Sequence, residues 1–147
     1  MRTVLVVEDY QELAETFATV LNGTGRYEVL SACTGMEAVP LLEAGNVDLA
    51  LIDALLPGEI SGIELCRRAL ALAVPSIMMS GDHRLLDDLR AHGVPQLRKP
   101  FRIAALIEMI DVELARYSHN LILVREGLER LRANVRDLAE IRRNLKS

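Results

Sequence analysis

Leu49-Ala50-Leu51-Ile52-Asp53-Ala54-Leu55-Leu56-Pro57-Gly58 is an apolar run that ends in one carboxylate and is then broken by proline and glycine. Residues 49–52 are too few for a helix and have no polar face, which predicts a short strand covered on both sides. Asp53 then stands at that strand's carboxyl end. Open α/β sheets bind their ligands at the carboxyl ends of the strands, so an acid there is a site candidate. Asp also forms turns and caps helices at such points. Taken alone, the stretch leaves a site and a turn equally open.

Working outward, residues 4–7 read as a second buried strand, followed at once by Glu8 and Asp9. A helical stripe of Leu13, Phe17, Val20 and Leu21 comes next and stops at Asn22-Gly23. Residues 27–32 form a strand, Thr34 caps a helix through Leu42, and Pro40 inside that helix should bend or shorten it. Beyond the Pro57-Gly58 loop, Ser61 starts a helix to about residue 72, with Ile63, Leu65, Cys66 and Leu70 available for burial. Residues 76–79 form a fourth strand ending at Ser80-Gly81. Residues 82–92 form a short helix, and residues 94–98 a fifth strand ending at Lys99-Pro100, with another helix from Phe101.

Strands and helices alternate, which predicts an α/β fold: a five-stranded parallel sheet with helices on both faces, doubly wound in the flavodoxin-like way. That topology gathers Glu8, Asp9, Asp53, Ser80 and Lys99 at one edge of the sheet. Each has a dull explanation as a cap or a solvated charge, but five at equivalent positions favour a site. Crowded carboxylates repel one another unless a cation compensates. A divalent ion such as Mg2+, which takes oxygen ligands in octahedral geometry and keeps several waters, answers that need. One carboxylate would remain to attack phosphorus, with Lys99 and Ser80 stabilising the phosphoryl oxygens.

Composition bounds the alternatives. The chain has 147 residues, half of them hydrophobic, enough for one cored domain with a short appendage. Cys33 and Cys66 are far apart and form no metal-type cluster, so both read as small buried residues in a reducing compartment. The first apolar run is too short for a signal peptide or a membrane span, making the cytoplasm the default location. Residues 119–147 carry seven Arg and Lys against four Asp and Glu, leaving a net charge of −7 on the first 118. An acidic body argues against nucleic-acid binding.

With those residues in view, the chain resembles the receiver domain of bacterial two-component response regulators. The resemblance rests on Glu8-Asp9, Asp53 with Leu56-Pro57 and Gly62-Ile63-Glu64-Leu65, Ser80, and Lys99-Pro100-Phe101, and it covers about residues 1–117. It implies that Asp53 accepts phosphate from a histidine kinase or a histidine phosphotransfer protein. Asp9, Asp53 and the main-chain carbonyl of Leu55 would hold Mg2+, with Glu8 acting through water. Lys99 would pair with the phosphoryl group, Ser80 would move toward it, and Lys99-Pro100 would be cis. The chain would be no enzyme beyond its own phosphorylation and dephosphorylation. Departures from the family pattern are Gln96 where an aromatic residue is usual, one extra residue before Gly62, Gly81 after Ser80, and Leu55 at an often polar position.

The domain reading is a receiver over 1–118 and an amphipathic helical extension over 119–147, which has no proline and only Gly127 to stop the fifth helix from continuing into it. Leu121, Val124, Leu128, Leu131, Val135 and Leu138 recur at spacings of three and four, the pattern of a coiled-coil seam. Homodimerisation through this helix, or through the face made by the fourth helix, fifth strand and fifth helix, is the favoured outcome; docking on the chain's own receiver is the alternative. His119, followed by Asn120 rather than an acid, makes a poor phosphoacceptor, and His83 and His92 read as surface residues. Two further functions compete: a dimerisation or scaffold module in which phosphorylation is secondary, and the receiver portion of a larger regulator. A hydrolytic phosphatase is disfavoured because Leu55 stands where its second acid would be.

Overall fold

The computed structural model describes residues 1–145. By internal packing the chain divides into two units, Met1–Leu114 and Ala115–Ser147. The first holds a five-stranded sheet of β1 (Arg2–Val7), β2 (Tyr27–Ala32), β3 (Leu49–Asp53), β4 (Ser76–Ser80) and β5 (Gln96–Arg98), in the order β2-β1-β3-β4-β5. Every pairing is parallel. The connecting helices are α1 (Gln11–Gly23), α2 (Gly35–Glu43), α3 (Gly62–Ala71) and α4 (His83–Ala91), followed by α5 (Ile103–Asn144).

Strand side chains alternate between two apolar layers, as a two-residue period requires. Leu5, Val7, Ala50, Ile52 and Met78 pack with Ala38 and Leu42 of α2, Leu65, Cys66 and Ala69 of α3, and Leu89 of α4. Val4, Val6, Leu49, Leu51, Ile77 and Met79 pack on the other side with Phe17 and Leu21 of α1 and Leu106, Ile110 and Leu114 of α5. The Phe17 ring stacks on Phe101 at 5.6 Å between centroids. All five residues of β3 are buried, which is why that strand reads as an unbroken apolar run. On the second layer Asp111 of α5 takes both the Arg26 guanidinium, at 3.0 Å, and the Tyr27 hydroxyl.

Several local expectations are corrected. Cys33 is exposed, because it falls after β2 where its amide donates to Glu37 Oε2 (2.9 Å); Cys66 is buried. Ile63 and Leu70 face solvent, since α3 presents Leu65, Cys66 and the small Ala69 to the sheet. The fifth strand begins at Gln96 rather than 94: Pro95 has no amide to give, although its carbonyl still accepts from Met78 (2.9 Å). α2 runs through Pro40 to Glu43, with Thr34 Oγ1 accepting from the Glu37 amide at its start.

Among the described residues, Ala115–Asn144 is helical without interruption. Among the described residues, no helix is long and apolar enough to cross a membrane.

Candidate functional site

In the order β2-β1-β3-β4-β5 the winding direction reverses between β1 and β3, and ligands of doubly wound sheets sit in the crevice at that switch point. Glu8 and Asp9 follow β1, and Asp53 ends β3, so three carboxylates meet there. Each offers an oxygen within 4.8 Å of the others. Glu8 and Asp53 are buried, at 1% and 6% exposure, while Asp9 is open to solvent.

Lys99, arriving from the end of β5, closes the group from the far side. Its Nζ donates to Glu8 Oε2 at 2.8 Å and to Asp53 Oδ2 at 3.0 Å. The remaining oxygens are held by main chain: the Leu55 amide donates to Asp53 Oδ1 (2.9 Å), and the Tyr10 amide to Glu8 Oε1 (3.3 Å). Burial pushes the Glu8 carboxyl above its ordinary value of 4.5; the Lys99 hydrogen bond opposes this and the Asp53 charge adds to it. Burial pulls the Lys99 ammonium down, but the hydrogen bonds and charges of Glu8 and Asp53 outweigh it and leave the group above 10.5. One ammonium therefore bridges two of the three carboxylates.

Ser80 ends β4, beside β3, and is buried. Its Oγ accepts from the Asp82 amide (3.0 Å), while Asp82 itself caps α4. The Lys99-Pro100 peptide is cis. Glu8, Asp9, Asp53 and Lys99 are thus brought together as the sequence suggested, Ser80 ends the neighbouring strand, and Leu55 touches Asp53 through its amide.

Two features of the site were not foreseen. A Cβ on Gly62 would lie 2.2 Å from the Asp53 carbonyl oxygen and 2.8 Å from the Ala54 Cα, so only glycine lets α3 start against the end of β3. A Cβ on Gly35 would meet Ile60 at 2.7–2.8 Å, which pins the loop between them. The available signal was a glycine in the first turn of a helix, where it carries a propensity penalty and needs another reason. The second feature is at Gln96. With its amide oriented to satisfy both partners, the oxygen accepts from Arg90 Nε (3.0 Å) and Nη2 (3.2 Å), and the nitrogen donates to the Val94 carbonyl (3.1 Å). β5 is therefore tied to α4 by polar contacts, and Arg98 Nη2 lies 2.6 Å from His83 Nε2 alongside.

Residues 4–111 match the response regulator receiver domain. The chain belongs to this family. Receivers work in two-component signalling, and this one is similar to regulatory protein VanR of Enterococcus faecium, with 30% identity over 118 residues covering 78% of this chain and 50% of that protein. It is 33% identical over 120 residues to transcriptional regulatory protein CseB of Streptomyces coelicolor, covering 79% and 50%. The chain spans about half the length of the curated relatives it matches. Among solved structures, a CheY-like receiver from Methanospirillum hungatei superposes with a TM-score of 0.72 at 26% identity, covering 82% of this chain and 98% of that one. A Francisella receiver domain gives 0.70 at 27% identity, covering 79% and 98%.

Receivers typically bind Mg2+ at an acidic pocket, and the donor set here fits such an ion: three hard oxygen ligands converge on one point with an excess of negative charge.

Proposed function

We propose that this receiver is a phosphorylation-dependent switch that takes a phosphoryl group onto Asp53 from a histidine kinase or histidine phosphotransfer protein in the cytoplasm, and signals through protein contacts. The observation that carries this is the Lys99 ammonium bridging Asp53 and Glu8 beside Asp9, at the carboxyl edge of the sheet. A buried carboxylate with a fixed cation on one oxygen is positioned as a nucleophile and does not have to be reorganised.

In the transfer, an Asp53 carboxylate oxygen attacks phosphorus while the P–N bond of the donor phosphohistidine breaks. The bonding pair leaves on the imidazole nitrogen, which takes a proton. Lys99 exchanges its contact with Asp53 Oδ2 for a phosphoryl oxygen. Ser80 Oγ accepts from Asp82 but keeps its own hydrogen, so it can donate to a second phosphoryl oxygen. Glu8, Asp9, Asp53 and the Leu55 carbonyl would hold Mg2+, which supplies positive charge against the carboxylates and the phosphoryl oxygens. The chain's only catalysis is of its own phosphorylation and dephosphorylation. Gln96, tied to Arg90, replaces the family's aromatic at the position from which β5 can pass the change to α4.

The test is incubation with Mg2+ and acetyl phosphate followed by intact mass. The native chain should gain one phosphoryl group and Asp53→Ala none. No gain on the native chain, or an equal gain on the variant, overturns the proposal.

A further inference from the structure

Beyond Leu114, α5 carries an exposed apolar face. Leu121, Val124, Leu128, Leu131, Val135 and Leu138 are each 51–66% exposed and recur at intervals of three and four, filling the a and d positions of successive heptads with Leu121, Leu128 and Val135 at a. No charge enters this seam between 121 and 138; Arg142, the next a position, ends it. Residues 115–144 contain no turn, so they do not fold back on themselves to cover this seam.

We propose that the seam is closed by the same face of a second copy of this chain, running parallel, as a two-stranded coiled coil. Burying an aliphatic side chain removes roughly 60–120 Å2 from water. The twelve seam residues of a pair, now a half to two thirds exposed, would give up roughly 400–900 Å2. The flanking arginine stems carry the total toward the order of 1,000 Å2 that a specific interface requires.

The flanking charges select the direction. The e positions are Arg125, Arg132 and Ala139, and the g positions are Asn120, Gly127 and Asn134. A parallel pair sets e against g of the partner, so every arginine meets an uncharged residue. An antiparallel pair sets e against e along one edge, which places Arg125 of each chain beside Arg132 of the other there, and g against g along the opposite edge. Val135 at a with Leu138 at d is the combination that favours two strands, whereas Leu121 at a with Val124 at d is its reverse, so the strand number is decided by the mass measurement below.

The proposal rests on α5 alone and stands or falls independently of phosphorylation at Asp53. Light scattering on the 147-residue chain at micromolar concentration should give twice the 16.3 kDa chain mass. Leu131→Lys, and the double variant Leu128→Lys with Leu131→Lys, should give the single-chain mass with their far-UV strand signal retained. Glu129→Lys, the same charge placed off the seam, should leave the dimer intact. Leu121→Cys should form an interchain disulfide that the native cysteines do not, because an antiparallel pair would hold the two Leu121 positions about 25 Å apart. A monomeric native chain, a mass above twice the chain, a dimer that survives the double lysine variant, or a Leu121→Cys dimer without the disulfide overturns the proposal.

Discussion

The carboxyl edge of the sheet and the far half of α5 are specified in opposite ways. At the edge, Glu8, Asp53 and Lys99 come from positions far apart in the chain and are gathered by strand register so that the Lys99 ammonium lies 2.8 Å from Glu8 and 3.0 Å from Asp53. Backbone is packed so closely there that Gly62 has no room for one extra carbon. Along α5 beyond Leu114 the pattern is local and periodic, the side chains stand in solvent, and a Cβ at Gly127 would meet nothing within 4 Å. A site made of distant parts depends on the whole core, whereas a seam depends on its repeat.

Substitutions can break this contrast. Gly62→Ala drives a carbon into the Asp53 carbonyl and the Ala54 Cα, neither of which can move without moving β3, and should cost about 3 kcal/mol or more in urea unfolding. Gly81→Ala, with open space around it, should be near neutral; if the two variants unfold alike, the close packing at the site is wrong. Lys99→Ala leaves two buried carboxylates facing each other and should cost about 1–3 kcal/mol without metal, part of which Mg2+ should restore. In the tail, Gly127→Ala should have the opposite sign, stabilising by about 0.5–1 kcal/mol through helix propensity alone. A destabilising Gly127→Ala would mean that this position is packed.

The smallest effect concerns pH in metal-free protein. Glu8 holds its proton to higher pH in the folded state than its ordinary 4.5, so the folded state binds more protons just above that value and stability falls as pH rises through the window. Glu8→Gln should flatten this fall, and an unchanged profile would assign it to other groups. Lys99 acts at the alkaline end. Its contribution is complete below 10.5 and is lost as pH rises through its higher folded value.

Much of the site was legible in the sequence because buried strands mark their own ends, and a parallel sheet puts every carboxyl end on one edge. Asp53 after four apolar residues and Lys99 after the short fifth strand could be placed without coordinates. The face of α3 could not: in a helix of ten residues both Ile63 with Leu70 and Leu65 with Cys66 make apolar stripes, and the small Ala69 decides which one meets the sheet. Cys33 was misread because composition reports how often a residue type is buried and not where a strand stops. The Arg90–Gln96 contact depends on how α4 turns back onto β5, which no periodicity encodes.

The most direct test of the account is to locate the phosphoryl group. After acetyl phosphate and Mg2+, borohydride reduction converts an aspartyl phosphate to homoserine, and peptide mass mapping reads its position. Homoserine at residue 53 alone is the expected result. Reduction at Asp9 or Glu8, or at no residue of a chain whose mass has risen, would contradict the assignment of Asp53 as the acceptor.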